Sequence, residues 1–185
     1  MKKSSFVCKC LFFFVFFSFF IIAPACSKQE SSEKVESMPD LTITQSDIML
    51  LIEHKKMIDS ITAEYDKKIA GAQPGAAYKF IEEGKSEISK YLESKGLNSE
   101  VFMKKSKKIL RAYLGFTEIS EETMQKRVEL LKKNDISPKD IETKTQAYKK
   151  AGEAFFKEMV SGLSEKEIDI VKSNLKNIST VVEPK

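Results

Sequence analysis

The chain has no tryptophan, and among its 185 residues it has one histidine, His54. A single imidazole removes most histidine-based metal sites and makes any serine–histidine–acid triad depend on this one side chain. Its neighbour Glu53 lies about 100° away around a helix, and no nucleophile or orienting acid stands at helical spacing from it. His54 is therefore read as a partly buried histidine in or beside a packing seam. Phosphate-binding loops, dinucleotide glycine fingerprints and haem attachment motifs are missing as well. The adjacent acids Glu82-Glu83 and Glu121-Glu122 diverge around a helix and read as solvated faces. Period-two alternation of useful length is also lacking, which removes a strand-rich fold. The expectation is a protein that is not an enzyme and holds no cofactor or metal.

Cysteine is scarce, and its placement is informative. Lys2, Lys3 and Lys9 precede an apolar run from Leu11 to Ala23, which small residues close before Cys26. This is the three-part layout of a secretory signal. The run covers 13 residues, whereas a helix needs about 20 to cross ~30 Å of hydrocarbon, so it is not read as a permanent span. Cys8 and Cys10 lie inside the signal, which leaves Cys26 as the one cysteine of the exported chain and precludes an internal disulfide.

Two processing outcomes compete at the end of the run. Ala23-Pro24-Ala25 satisfies the small-x-small rule for ordinary cleavage, which would release a soluble chain beginning at Cys26. The same residues followed by Cys26 resemble a bacterial lipobox of the looser kind seen in spirochaete lipoproteins. That resemblance covers residues 1 to about 30 and implies a cysteine acylated with diacylglycerol that becomes the first residue of a lipoprotein. Lipidation of Cys26 is favoured, because a lone thiol directly after a cleavage site and before SKQESSEK has no other evident use. Ser27 resembles outer-membrane sorting in enteric bacteria, so a bacterial membrane facing the periplasm or the exterior, the outer membrane by preference, is the expected location.

Removing residues 1–25 leaves 160 residues, enough for one domain with one core. Three lysines and no acids leave with the signal, so the formal charge falls from +4 to +1, and eight of the 13 phenylalanines leave too. Nothing in the remaining balance calls for nucleic acid. The segment SKQESSEKVESMPDLT is polar and cannot bury enough surface to offset the entropy of ordering. Residues 26–42 are therefore read as a lipidated N-terminus and flexible tether, which at full extension reaches about 50 Å.

The remaining 43–185 carry recurring helix punctuation. Thr44, Ser137 and Ser164 each stand after an apolar residue and three positions before an acid, at Asp47, Asp140 and Glu167. A hydroxyl there accepts from an unpaired first-turn amide while the acid reaches back to the cap. Pro138 sits at a first helical position, where its missing amide is harmless. Weaker starts occur at Asn98 and Ser120, and Gln73-Pro74 begins another helix; Gly96, Gly115 and Gly162 supply stops.

Six helices follow, at 45–70, 74–94, 99–114, 121–133, 138–161 and 165–181. Each has one apolar face, led by Ile48, Leu51, Ile58, Ile61, Tyr65 and Ile69 in the first and by Phe102, Ile109, Leu110 and Tyr113 in the third. Short connections predict an all-α domain, a single antiparallel bundle of about six helices after the signal peptide and tether.

The most distinctive surface feature is Lys104, Lys107, Lys108 and Arg111, four cations gathered along one helix face opposite Phe102, Ile109 and Tyr113. They are candidates for contact with anionic lipid headgroups, a cell-wall polymer or an acidic partner, with a plain solvated face as the bland alternative. Gly84 and Gly152 interrupt apolar stripes. They permit close helix crossing or leave room for an apolar ligand, with Tyr78, Tyr91, Tyr113 and Tyr148 as lining residues. The sequon Asn177-Ile178-Ser179 falls inside a predicted helix and is treated as chance. The resulting expectation is a lipid-anchored, noncatalytic helical interaction or structural module of the bacterial envelope. A carrier of an apolar ligand is the alternative.

Overall fold

The structure, a computed structural model, describes residues 40–73 and 75–182. The signal peptide, Cys26 and most of the tether lie outside these residues. All regular structure described is helical: α1 Gln45–Ala70, α2 Ala77–Ser94, α3 Ser99–Glu118, α4 Glu121–Lys133, α5 Pro138–Met159, α6 Glu165–Ser173 and α7 Leu175–Val182. No described helix is long and apolar enough to cross a membrane.

The helix starts follow their chemistry. Thr44 and Ser164 form reciprocal capping boxes with Asp47 and Glu167, Ser137 caps α5 with Pro138 in its first turn, and Asn98 and Ser120 cap α3 and α4. Each cap satisfies an amide that the helix cannot pair internally and contributes about 1 kcal/mol. At the stops, Gly96 and Gly162 adopt positive φ of 73° and 81°. Leu97 N–H donates back to the Leu92 carbonyl at 3.1 Å, the wrapped geometry that only a residue tolerant of left-handed backbone allows cheaply.

Three expectations change. Gly115 does not stop α3, which continues to Glu118. A Cβ at Gly115 would meet Met159 Cβ at 3.0 Å and Phe156 Cδ2 at 3.2 Å, so this glycine is where α5 crosses α3. The helix predicted at 165–181 is divided at Asn174, giving seven helices among the described residues in place of six. Leu41, which the reading of 26–42 placed in the tether, already contacts the domain: its carbonyl accepts from Lys108 at 2.9 Å.

α3 is the hub, packing against α1, α2, α4, α5 and α6, while α7 closes on α1 and α6. One core cluster joins α1, α2 and the start of α3 through Ile58, Ile61, Tyr65, Ile88, Leu92 and Phe102. Leu92 is fully buried within it. Ile43, Ile48, Leu51, Ile109, Val171 and Ile178 are among the fully buried residues of the elements around the chain's point of arrival.

The apolar stripes of α4 and α5 are covered much less. α4 has no buried residue, and α5 buries only Gly152 and Met159, both toward its C-terminal end. Met124, Val128, Leu131, Ile141 and Tyr148 are half-buried along the seam between the two helices. Gly152 lies beside the end of α3, near Glu118 and Ile119, so the earlier turns of α5 and their partner α4 extend past that end. Residues 121–151 thus form a two-helix arm.

Candidate functional site

The cationic residues of α3 are distributed among different partners. Lys104, the most exposed, pairs with Glu100 one turn earlier. Arg111 donates to the Glu158 carbonyl at 3.1 Å, completing an acceptor in the last turn of α5. Lys108 reaches both the Leu41 carbonyl at 2.9 Å and Glu167 Oε1 at 3.2 Å. Lys107 is half-buried. Lys105, which the sequence reading left out of the patch, bonds both Asp47 carboxylate oxygens at 3.1 and 3.2 Å.

These bonds converge on the point where the chain joins its domain. Glu167 Oε1 accepts from Ile43 N–H at 2.9 Å as well as from Lys108; its Oε2 accepts from Ser164 N–H and the Ser164 hydroxyl, each at 2.8 Å. Burial of this carboxylate opposes ionisation. The donations from Ser164, Ile43 and Lys108 outweigh it and hold its pKa at about 2, against an ordinary 4.5. Beside it, Gln45 and Asn174 exchange reciprocal amide bonds at 2.9 and 2.8 Å. Residues 41–47 are therefore fastened to α3, α6 and the α6–α7 break by Glu167, Lys108, Lys105 and Asn174. A partly buried network of this kind, centred on Glu167, favours one docking geometry for the segment.

Sequence reasoning saw Glu167 only as a capping acid and missed its bond to Ile43, 124 positions away. One signal was available: Glu167, Val171, Asn174 and Ile178 share a single helical face, and all four are buried. Two polar residues on such a face require partners from another element.

His54 is buried, as its place in the α1 stripe implied. Its Nδ1 lies 3.0 Å from the Tyr91 hydroxyl, and its ring meets Tyr91 and Phe102 edge-on, with centroids 5.7 and 6.1 Å apart. Glu53 comes nearer than its helical angle suggested, bringing Oε1 to 4.0 Å from Nε2 while staying largely exposed. Among the described residues, no group of three or more His, Cys, Asp or Glu is placed to hold a metal ion.

The two glycines proposed to leave space are both faced by neighbours. A Cβ at Gly84 would meet Tyr65 Cγ at 3.1 Å, so this is a close crossing of α1 and α2. At Gly152 the nearest atoms are the Glu118 carbonyl and Ile119 Cγ2, both at 3.6 Å, an ordinary van der Waals separation. Gly152→Ala should therefore raise stability by about 0.5–1 kcal/mol through helix propensity, visible as a higher urea midpoint; a lower midpoint would show that α5 cannot accept a methyl there. Of the tyrosines, Tyr113 is buried, Tyr91 and Tyr148 are half-buried and Tyr78 is exposed. Tyr148 stacks against Arg127, which pairs with Glu118.

The chain matches no protein-family model, no curated protein and no solved structure.

Proposed function

We propose that the exported chain is a lipid-anchored, noncatalytic interaction module of a bacterial cell envelope. It is held through Cys26 and built as a single antiparallel helical bundle. The observation that carries this reading is the position of Cys26, the one cysteine beyond the signal, directly after Ala23-Pro24-Ala25 and before a polar tether. The fastening of residues 41–47 supports it, because the segment arriving from the tether is joined to three other parts of the domain before α1 is one turn long. The domain then hangs from its lipid by a defined point rather than by a fraying end.

In this reading the partner is an envelope or extracellular macromolecule, with no nucleic acid and no cofactor beyond the covalent lipid, and the outer membrane is the favoured location. The cationic face of α3, with Lys104 its most exposed member, is the surface offered to an anionic partner. Lys108 and Arg111 also serve the fold.

Cys26→Ser tests the anchor. It should abolish palmitate labelling and move the protein from the membrane fraction to the soluble fraction without changing its helicity. Intact-mass measurement of the wild type should show a diacylglycerol adduct on the N-terminal cysteine. An unacylated wild-type chain starting at Cys26 would assign the site to ordinary cleavage and end the lipoprotein reading.

A further inference from the structure

The outward face of α4 carries a charge pattern that complements itself. Glu122, Lys126, Glu129 and Lys133 fall along one stripe of the helix, all four exposed, reading minus, plus, minus, plus from the N-terminal end. Reversed, the same stripe reads plus, minus, plus, minus. An antiparallel copy of α4 centred between Arg127 and Val128 sets Glu122 against the second copy's Lys133, and Lys126 against its Glu129. The two-fold axis doubles these to four opposite-charge pairs with no like-charge opposition. Leu130, 59% exposed, flanks the stripe.

The rest of the chain leaves the stripe itself uncovered, with Glu122, Lys126, Glu129 and Lys133 all exposed. α4 buries no residue against its own chain, and its seam with α5 leaves Met124, Val128, Leu131 and Tyr148 only half-covered. That seam lies on the opposite side of α4 from the charged stripe, so a second copy can meet the stripe without disturbing the arm's own packing. The arm's charges are almost balanced: nine Lys or Arg against eight Asp or Glu between Glu121 and Glu158. A copy is therefore not repelled as a body, and the stripe sets its register.

We infer that this protein self-associates through α4, as an isologous pair in which the Glu122–Lys126–Glu129–Lys133 stripes of two copies meet antiparallel. The Glu122–Lys126 bond within each chain, 2.6 Å long, is compatible with this, because each carboxylate can accept from a second ammonium. A 13-residue helix is about 20 Å long, so the contact is small and the dimer weak and concentration-dependent. The inference does not depend on lipidation.

Charge reversal in two complementary halves tests it, using residues 27–185, which contain every described helix and no cysteine. Sedimentation equilibrium over a concentration series into the high micromolar range should show a monomer–dimer equilibrium that weakens with added salt. Glu122→Lys with Glu129→Lys makes the stripe wholly basic, and Lys126→Glu with Lys133→Glu makes it wholly acidic. Each double variant alone should dimerise at least about tenfold more weakly than wild type. Mixed in equal amounts, the two should recover a heterodimer, an outcome that a partly unfolded α4 would not give; circular dichroism of each variant checks its helicity. A wild type that stays monomeric throughout, or a dimer indifferent to both double variants, overturns the inference. So does failure of the mixture to associate.

Discussion

Replacement of Glu167 by glutamine is expected to lower the stability of the folded domain by about 2 kcal/mol at neutral pH and to remove much of its acid sensitivity. The carboxylate is 7% exposed and accepts four hydrogen bonds, from Ile43 N–H, Lys108, Ser164 N–H and the Ser164 hydroxyl. A glutamine has one acceptor oxygen where the carboxylate has two. Whichever way its amide turns, two of these donors lose an acceptor inside or at the edge of the core, at about 1–3 kcal/mol for a buried loss and less for a part-buried one.

The pH dependence has a definite sign. Unfolded, the carboxyl titrates near its ordinary 4.5; folded, it is held down to about 2. Between those values the unfolded chain binds more protons than the native one, so stability rises with pH across the interval. Glu167's contribution is complete above about pH 4.5 and is lost as pH falls to about 2. Urea titrations of wild type and Glu167→Gln should therefore give curves that differ at pH 7 and converge toward pH 2. Glu100 and Glu122, whose pKa values are lowered by Lys104 and Lys126, remain in both proteins and cancel from the comparison. A constant gap between the curves down to pH 2 would mean that Glu167 acts through packing alone.

Gly115→Leu is expected to cost about 3 kcal/mol and to act locally. At this crossing a first side-chain carbon already stands 3.0 Å from Met159 Cβ and 3.2 Å from the Phe156 ring. Met159 Cβ is attached directly to the α5 backbone, so it gives way only if α5 moves off α3. Overpacking of this kind typically costs 1–3 kcal/mol, and leucine adds three further carbons to the clash. The α1–α2 cluster around Ile58, Ile88 and Leu92 does not touch this point. Hydrogen exchange should consequently speed up in α4 and α5 while the amides of α1 and α2 keep their protection relative to wild type. Uniform loss across all helices would show that the arm and the α1–α2 core unfold as one unit.

Local chemistry made much of the fold legible. Hydroxyl-plus-acid starts at Thr44, Ser137 and Ser164 need only residues within one turn, and 3.6-residue periodicity identified the buried faces of α1 and α3 before any neighbour was known. Gly96 and Gly162 behaved as stops because nothing distant competes for them. At Gly115 the same residue type does the opposite, and a single glycine in a helical pattern carries no sign of which role applies. The choice depends on Met159 and Phe156, more than 40 positions away.

The α3 cations show the same limit at the candidate site. Spacing alone gathers Lys104, Lys107, Lys108 and Arg111 on one face, since helical geometry is periodic and local. Whether a cation on that face meets solvent or a buried acid is decided by what packs there, and Lys108 meets Glu167 and the Leu41 carbonyl. Likewise, sequence predicted an apolar stripe on α4, but only the packing reveals how little of it is covered.

What the sequence determined by itself is the helical class, the positions of nearly all helix starts and the expectation of export with a lipid on Cys26, because each rests on residues adjacent in the chain. Tertiary structure alone decided three things: that Glu167 and Lys108 fasten residues 41–43, that α3 runs on through Gly115 as the hub, and that α4 and α5 stand out as an arm. Each of these turns on contacts between residues far apart in sequence. Their free energies come from burial and from hydrogen bonds whose partners no local pattern specifies.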